Sequence, residues 1–162
     1  MLNKINYIKG DATVPIDVNN TNKLIIHCCN DVGGWGSGFV LALSKKWKSP
    51  ELEYRKLAET KTTKYIKLGM VQVVPVEKDT FVANMIGQHK TGFDENGLPP
   101  VRYEAIRKCL EKVCKYSLDH NCSVHAPRFG SALAGGDWNI IEYLINEELI
   151  KNGVIVYIYD FE

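Results

Sequence analysis

The run Leu24-Ile25-Ile26-His27-Cys28-Cys29 limits what this chain can fold into more than any other feature. It does not alternate apolar and polar residues as a half-solvated strand does. It therefore reads as a strand covered on both faces, the kind found in a parallel sheet between helical layers. The run stops abruptly at Asn30-Asp31-Val32-Gly33-Gly34-Trp35-Gly36-Ser37-Gly38. Beyond it, Phe39, Val40, Leu43 and Trp47 fall on one helical stripe. Pro50 opens a second helical stretch, to about Glu59, because proline suits a first turn.

The rest of the chain repeats this alternation. Residues 5–8 form a short strand candidate that ends at Gly10-Asp11. Residues 70–76 and 80–86 read as two strands separated by the charged turn Glu77-Lys78-Asp79. A polar, glycine-bearing loop spans residues 87–100, and helical spacing of Ile106, Leu110, Val113 and Ser117/Leu118 follows over 101–120. Asn121 suits the left-handed residue that ends such a helix. Residues 123–126 form a short strand leading into Pro127-Arg128-Phe129-Gly130-Ser131-Ala132-Leu133-Ala134-Gly135-Gly136. Asp137 stands where a helix N-cap belongs, ahead of Ile141, Leu144, Ile145 and Leu149. Residues 154–159 supply a last strand. Strands separated by helices predict a three-layer α/β/α sandwich with a mostly parallel mixed central sheet. With no repeat or Pro/Ser linker, a single domain over residues 1–162 is expected.

Composition narrows the function. Net charge is +1, with 24% charged residues, so no bulk field favours nucleic acid or an anionic membrane. A small polar ligand fits better. The N-terminus lacks the apolar core of a signal peptide and nowhere do 18 apolar residues follow one another, so a soluble, cytoplasmic protein is expected. The five cysteines have no CxxC or metal-ligand spacing and read as buried reduced thiols. Neither a metal nor a cofactor is expected.

In open α/β sheets, ligands bind beyond the carboxyl ends of the strands. Both glycine loops leave such ends, which places them on one edge of the molecule. Gly33, Gly34, Gly36 and Gly38 allow positive φ and close backbone approach, and a helix follows. Successive N–H groups at a helix N-terminus cradle an anion. Gly130, Gly135 and Gly136 repeat the device, so the pair suits a ligand with two phosphates. A dinucleotide fingerprint fits less well: the spacing is GxGxG rather than GxGxxG, and no acidic residue closes a strand ~20 residues on.

The residues also carry a family resemblance, in family order, from about Tyr7 to Tyr159. Gly10-Asp11-Ala12-Thr13, the run from Leu24 to Asn30 entering its glycine loop, and Ala83-Asn84-Met85-Ile86-Gly87-Gln88 resemble macro domains. Arg102-Tyr103-Glu104-Ala105-Ile106 and the segment from Ala126 to Trp138 complete the likeness. That last segment is similar to the branch holding ADP-ribose-1″-phosphate phosphatases and terminal ADP-ribose protein glycohydrolases. The resemblance implies ADP-ribose, or ADP-ribosylated macromolecules, as partner. It implies that Asp11, beside Ala12, accepts from the adenine amino group and that Asn30 meets the distal ribose. The backbone of Gly33, Gly34, Trp35, Gly36, Ser37 and Gly38, with Gly130, Ser131, Ala132 and Leu133, would hold the diphosphate and distal ribose. Tyr159 or Phe129 would stack on a ring, although either could equally be core.

Where the glycohydrolases carry a lysine and an aspartate, this chain has Gln88 and Ala134, which shifts the expectation toward hydrolysis of ADP-ribose-1″-phosphate to ADP-ribose and phosphate. Asp137 and His89 are the catalytic candidates, against a cap role for the first and a solvated loop role for the second. His27 and His125 sit in apolar strands and read as structural. A non-catalytic ADP-ribose-binding module, and an ADP-ribosyl hydrolase acting on modified protein or nucleic acid, stand as the alternatives.

Overall fold

A computed structural model describes residues 3–59, 66–131 and 134–161. Strands β1 (Asn6–Lys9), β2 (Asn22–Asn30), β3 (Val71–Glu77), β4 (Thr80–Gln88), β5 (Cys122–Ala126) and β6 (Val156–Asp160) form one sheet in the order β1-β6-β5-β2-β4-β3. Every neighbouring pair is parallel except the β3–β4 hairpin. Helices α1 (Phe39–Lys46), α2 (Ser49–Glu59), α3 (Tyr103–His120) and α4 (Trp138–Glu148) cover the two faces.

Strand periodicity divides the central run between the two layers. Leu24 and Ile26 pack with Ile106, Leu110, Ile141 and Ile145 of α3 and α4. Ile25 and Cys29 pack with Val40, Leu43 and Tyr54 of α1 and α2. Burial on both faces is why the run is apolar throughout. The result is a three-layer α/β/α sandwich with a mixed central sheet.

The helix ends follow from local chemistry. Asn121 adopts φ 51°, ψ 57° and its N–H bonds to Ser117 O. Asp137 caps α4 by accepting from the Asn139 N–H at 2.9 Å. One sequence reading is borne out and one is narrowed. Trp47 packs with Phe39 against the cluster of Val40 and Leu43, although it stands just past α1 with an extended backbone and its indole N–H donates to Glu77 Oε2 at 3.1 Å. Leu118 is 58% exposed, while Ser117 takes the buried position on α3. No helix among the described residues is long and apolar enough to cross a membrane.

Two histidines lie inside. His125 bridges Ser123 Oγ (2.8 Å) and the Tyr159 hydroxyl (2.7 Å), and His27 meets Asn84 Oδ1 at 2.5 Å. Burial pushes each down to about 4. An unfolded chain takes up protons on both near pH 6.5, whereas the folded chain does so only near 4. Stability is therefore intact above pH 6.5 and is lost as pH falls toward 4. Urea unfolding at pH 7 and pH 5 should show a loss on the order of 2 kcal/mol per buried histidine at the lower pH; equal stability at both would contradict their neutral burial.

Candidate ligand-binding site

The first glycine loop is shaped by Asn30, the last residue of β2. Its Oδ1 accepts from the N–H groups of Val32 (3.1 Å) and Gly34 (2.9 Å), and its Nδ2 donates to Gly34 O at 3.0 Å. Tyr54, fully buried on α2, sets its hydroxyl 2.5 Å from Asn30 O and 2.9 Å from Oδ1, and it accepts from the Gly33 N–H at 3.2 Å. Asn30 thus lines the cavity described below while its Oδ1 and one Nδ2 hydrogen shape the loop, the turn-forming role its residue type favours; the second Nδ2 hydrogen has no partner among the described residues.

The glycines of this loop do different work. At Gly33, φ is 83° and an added Cβ would stand 2.6 Å from that of Ala58, so this residue packs against α2 and does not line a cavity. A Cβ on Gly34 would lie 2.9 Å from Asn30 Nδ2. Gly36 and Gly38 have nothing within 4 Å of that position. Trp35 is 6% exposed and anchors the loop by donating to Ser44 Oγ at 2.8 Å. The anchored half of the loop faces the protein, and the half from Gly36 to Gly38 faces open space.

The second loop follows β5. Gly136 N–H bonds to Gly130 O (2.9 Å), and Ser131 Oγ donates to Arg128 O (2.7 Å). Here the glycines permit tight packing: a Cβ on Gly130 would meet Ile141 at 2.7 Å, and one on Gly135 would meet Pro99 at 2.6 Å. Arg128 braces the loop through Asp160 at 2.6 and 3.1 Å, with its guanidinium 4.9 Å from the Tyr7 ring centroid and 5.2 Å from that of Trp138. Ala132 and Leu133 lie outside the described residues.

Both loops border one cavity of 760 Å³, lined by Asn30, Gly34 to Gly38, and Phe129 to Ser131, with Gln88, Thr91 and Ala134 among the remainder. A second cavity of 650 Å³ holds Asp11, Ala12, Lys45, Lys46, Tyr159 and Phe161. Gly38, Phe39 and Pro127 belong to both, so the two adjoin along the sheet edge and together make the cleft. Asp11 Oδ1 accepts from Thr13 N (2.8 Å) and Thr13 Oγ1 (2.7 Å), and its other oxygen has no partner among the described residues. Tyr159 is 4% exposed, with its hydroxyl held by His125 and by Ile16 N–H (3.1 Å). Phe129 is equally buried, edge-on to Trp138.

Sequence reasoning passed over Phe161, which is 80% exposed at the second cavity. The available signal was topological. Parallel pairing of β1 with β6 sets Lys9 beside Asp160, and the Gly10 N–H bonds to Asp160 O, so the residue after β6 stands beside the Gly10-Asp11 turn.

The two catalytic candidates are not brought to the cleft. Asp137 is the α4 cap, and His89 pairs through Nδ1 with Asp31 Oδ2 at 2.7 Å; neither lines either cavity. The titratable groups around the larger cavity are His27, Cys28, Cys29 and Arg128. Burial keeps His27 neutral at pH 7 and pushes both thiols well above their usual range, so each stays protonated. The hydrogen bond to Asp160 raises Arg128. No group of His, Cys, Asp or Glu suited to a metal occurs among the described residues.

No family model matches the chain. A Bacteroides thetaiotaomicron protein of unknown function is 53% identical, with TM-score 0.92 over 97% of this chain and 98% of that one. Mouse chromodomain-helicase-DNA-binding protein 1-like is 30% identical over 97% of this chain. The match spans only 18% of that protein, and 15% of its zebrafish counterpart. The structure of Thermosipho africanus DarTG in complex with ADP-ribose shares the fold at TM-score 0.68 and 16% identity, over 86% of this chain and 38% of that one. A macrodomain protein from Streptomyces coelicolor is 45% identical over 97% of this chain and 99% of its own, with TM-score 0.82. By that identity over nearly the whole of both chains, the chain belongs to the macrodomain family.

Proposed function

We propose that this chain binds ADP-ribose, free or attached to a macromolecule, in the cleft formed by the two cavities. Adenine occupies the Asp11 cavity, where an acceptor-only carboxylate suits the exocyclic amino group and Phe161 offers a ring face. The diphosphate lies where the cavities meet, between residues 36–38 and residues 130–131. Backbone N–H groups and the N-terminus of α1 complement its charge there. The distal ribose extends into the larger cavity. The observation that carries this reading is that the two cavities adjoin at Gly38, Phe39 and Pro127, with glycine backbone from the loops after two parallel neighbours on the walls. The ADP-ribose bound in the DarTG structure, which shares the fold, supports the choice of ligand.

Binding without turnover is the reading that the side chains favour. Removal of a 1″-phosphate by water needs a group to take or give a proton. The groups proposed for it, Asp137 and His89, are engaged in a helix cap and in a hydrogen bond with Asp31, and neither lines either cavity. Among the described residues, no carboxylate or lysine lines the larger cavity.

Calorimetry with ADP-ribose tests the binding reading. The Cβ that Gly36→Val adds meets no protein atom within 4 Å and the substitution does not force a positive φ, so the fold should survive while the added side chain blocks the cleft. A loss of at least about 100-fold in affinity at unchanged Tm is expected; unimpaired binding would remove the first loop from the site. A second measurement concerns turnover. Incubated with ADP-ribose-1″-phosphate, the protein should release no phosphate, and Asp137→Ala and His89→Ala should keep ADP-ribose affinity within about twofold. Phosphate release abolished by either substitution would replace this reading with the phosphatase.

A further inference from the structure

The cleft crosses the strand ends in sheet order. The second cavity takes residues 10–13 after β1, with Tyr159 and Phe161 at the end of β6. The larger cavity takes the loops after β5 and β2, and then Gln88, Thr91, Gly92 and Pro100 at and after the end of β4. A ligand with adenine at Asp11 and its diphosphate beside Gly38 therefore directs its distal sugar toward the loop after β4. Whatever is attached to that sugar meets the same loop.

The side chains displayed there are apolar. Val32 in the first glycine loop and Phe93 and Leu98 in the loop after β4 are exposed, Phe93 at 71%. Asp31 ties the two loops together, accepting from His89 Nδ1 at 2.7 Å and from the Lys90 N–H at 2.8 Å. Asp94 fixes the turn between Phe93 and Leu98. Its Oδ1 accepts from the N–H groups of Asn96 (2.9 Å) and Leu98 (3.0 Å), its own N–H donates to Leu98 O (2.9 Å), and its Oδ2 meets Arg102 Nη2 at 2.9 Å. Exposed apolar residues scattered singly need no cause, but three on two joined loops beside a ligand cavity ask for a partner. Charge decides its kind. A polynucleotide needs cations for its phosphates, and residues 31–38 and 89–98 carry the carboxylates of Asp31, Asp94 and Glu95 against a single lysine, Lys90.

We propose that Val32, Phe93 and Leu98 form a docking surface for a protein that carries the ADP-ribose, on which apolar side chains flanking the modified residue are buried. This rests on the ADP-ribose reading above. The cleft holds the nucleotide, and the surface at its β4 end reads the chain to which the nucleotide is attached. A partner with apolar flanks gains from leaving water there, whereas a nucleic acid finds few cations for its backbone.

The test is calorimetry with four probes: free ADP-ribose, a synthetic peptide with one ADP-ribosylated serine between leucines, the same peptide with those leucines replaced by serines, and a DNA oligonucleotide carrying one ADP-ribose. The leucine-flanked peptide should bind about tenfold more tightly than free ADP-ribose, and the serine-flanked peptide and the oligonucleotide should show no such gain. Phe93→Ser, and separately Leu98→Ser, should bring the leucine-flanked peptide down toward free ADP-ribose. Both side chains are exposed, so the fold should tolerate either change, with Tm as the check. Leu118→Ser removes an equally exposed leucine from the far end of α3 and should leave the tenfold ratio in place. Equal affinity for free ADP-ribose and the leucine-flanked peptide, an equal gain for the serine-flanked peptide, a larger gain for the oligonucleotide, or a ratio insensitive to Phe93 and Leu98 would overturn the docking surface alone. No heat with any probe would instead remove the ADP-ribose reading on which it rests.

Discussion

The parallel pairing of β2 with β5 governs the rest of this molecule. Residues 22–25 of one strand lie beside residues 122–125 of the other. Two strands that run side by side in the same direction release their following loops at the same edge. The apolar character of β2 is what permits this, because a parallel strand here must be covered by α3 and α4 on one face and by α1 and α2 on the other. A polar substitution that broke either cover would disturb the relation between the loops before it touched any ligand.

On that edge, glycine serves two separate ends. Gly33, Gly130 and Gly135 let chain segments approach so closely that a methyl group would collide with Ala58, Ile141 or Pro99. Gly36 and Gly38 leave space on the open side. The packing glycines, with Asn30 and Tyr54 behind the first loop and Arg128 behind the second, hold the backbone so that its N–H groups are arranged before a ligand arrives. Preorganised donors of this kind favour an anion through backbone dipoles and not only through the charged side chains of Lys45, Lys46 and Arg128 nearby, consistent with a chain whose net charge is only +1.

Much of the fold was legible because local chemistry and tertiary packing agree. The unbroken apolar run announced β2, Asn121 the end of α3, and Asp137 the start of α4. The common edge of the two loops followed from strand direction alone. What stayed hidden depends on contacts between distant residues. Nothing near Gly33 signals that Ala58 lies against it, and nothing near His89 signals its pairing with Asp31. Asp137 illustrates the difficulty from the other side: its residue type suits acid–base chemistry and a helix cap equally, and only its position relative to the cleft separates them. Phe161 was missed because one exposed aromatic after a strand carries no pattern, and its neighbour Gly10 is about 150 residues away in the chain.

A crystal structure with ADP-ribose bound tests the central claim most directly. The account predicts diphosphate oxygens within hydrogen-bond distance of main-chain N–H groups in residues 36–38 and again at residues 130–131, with adenine beside Asp11. Phosphates resting on Lys45 and Lys46 with both loops untouched, or a ligand seated away from the β2–β5 edge, would contradict it.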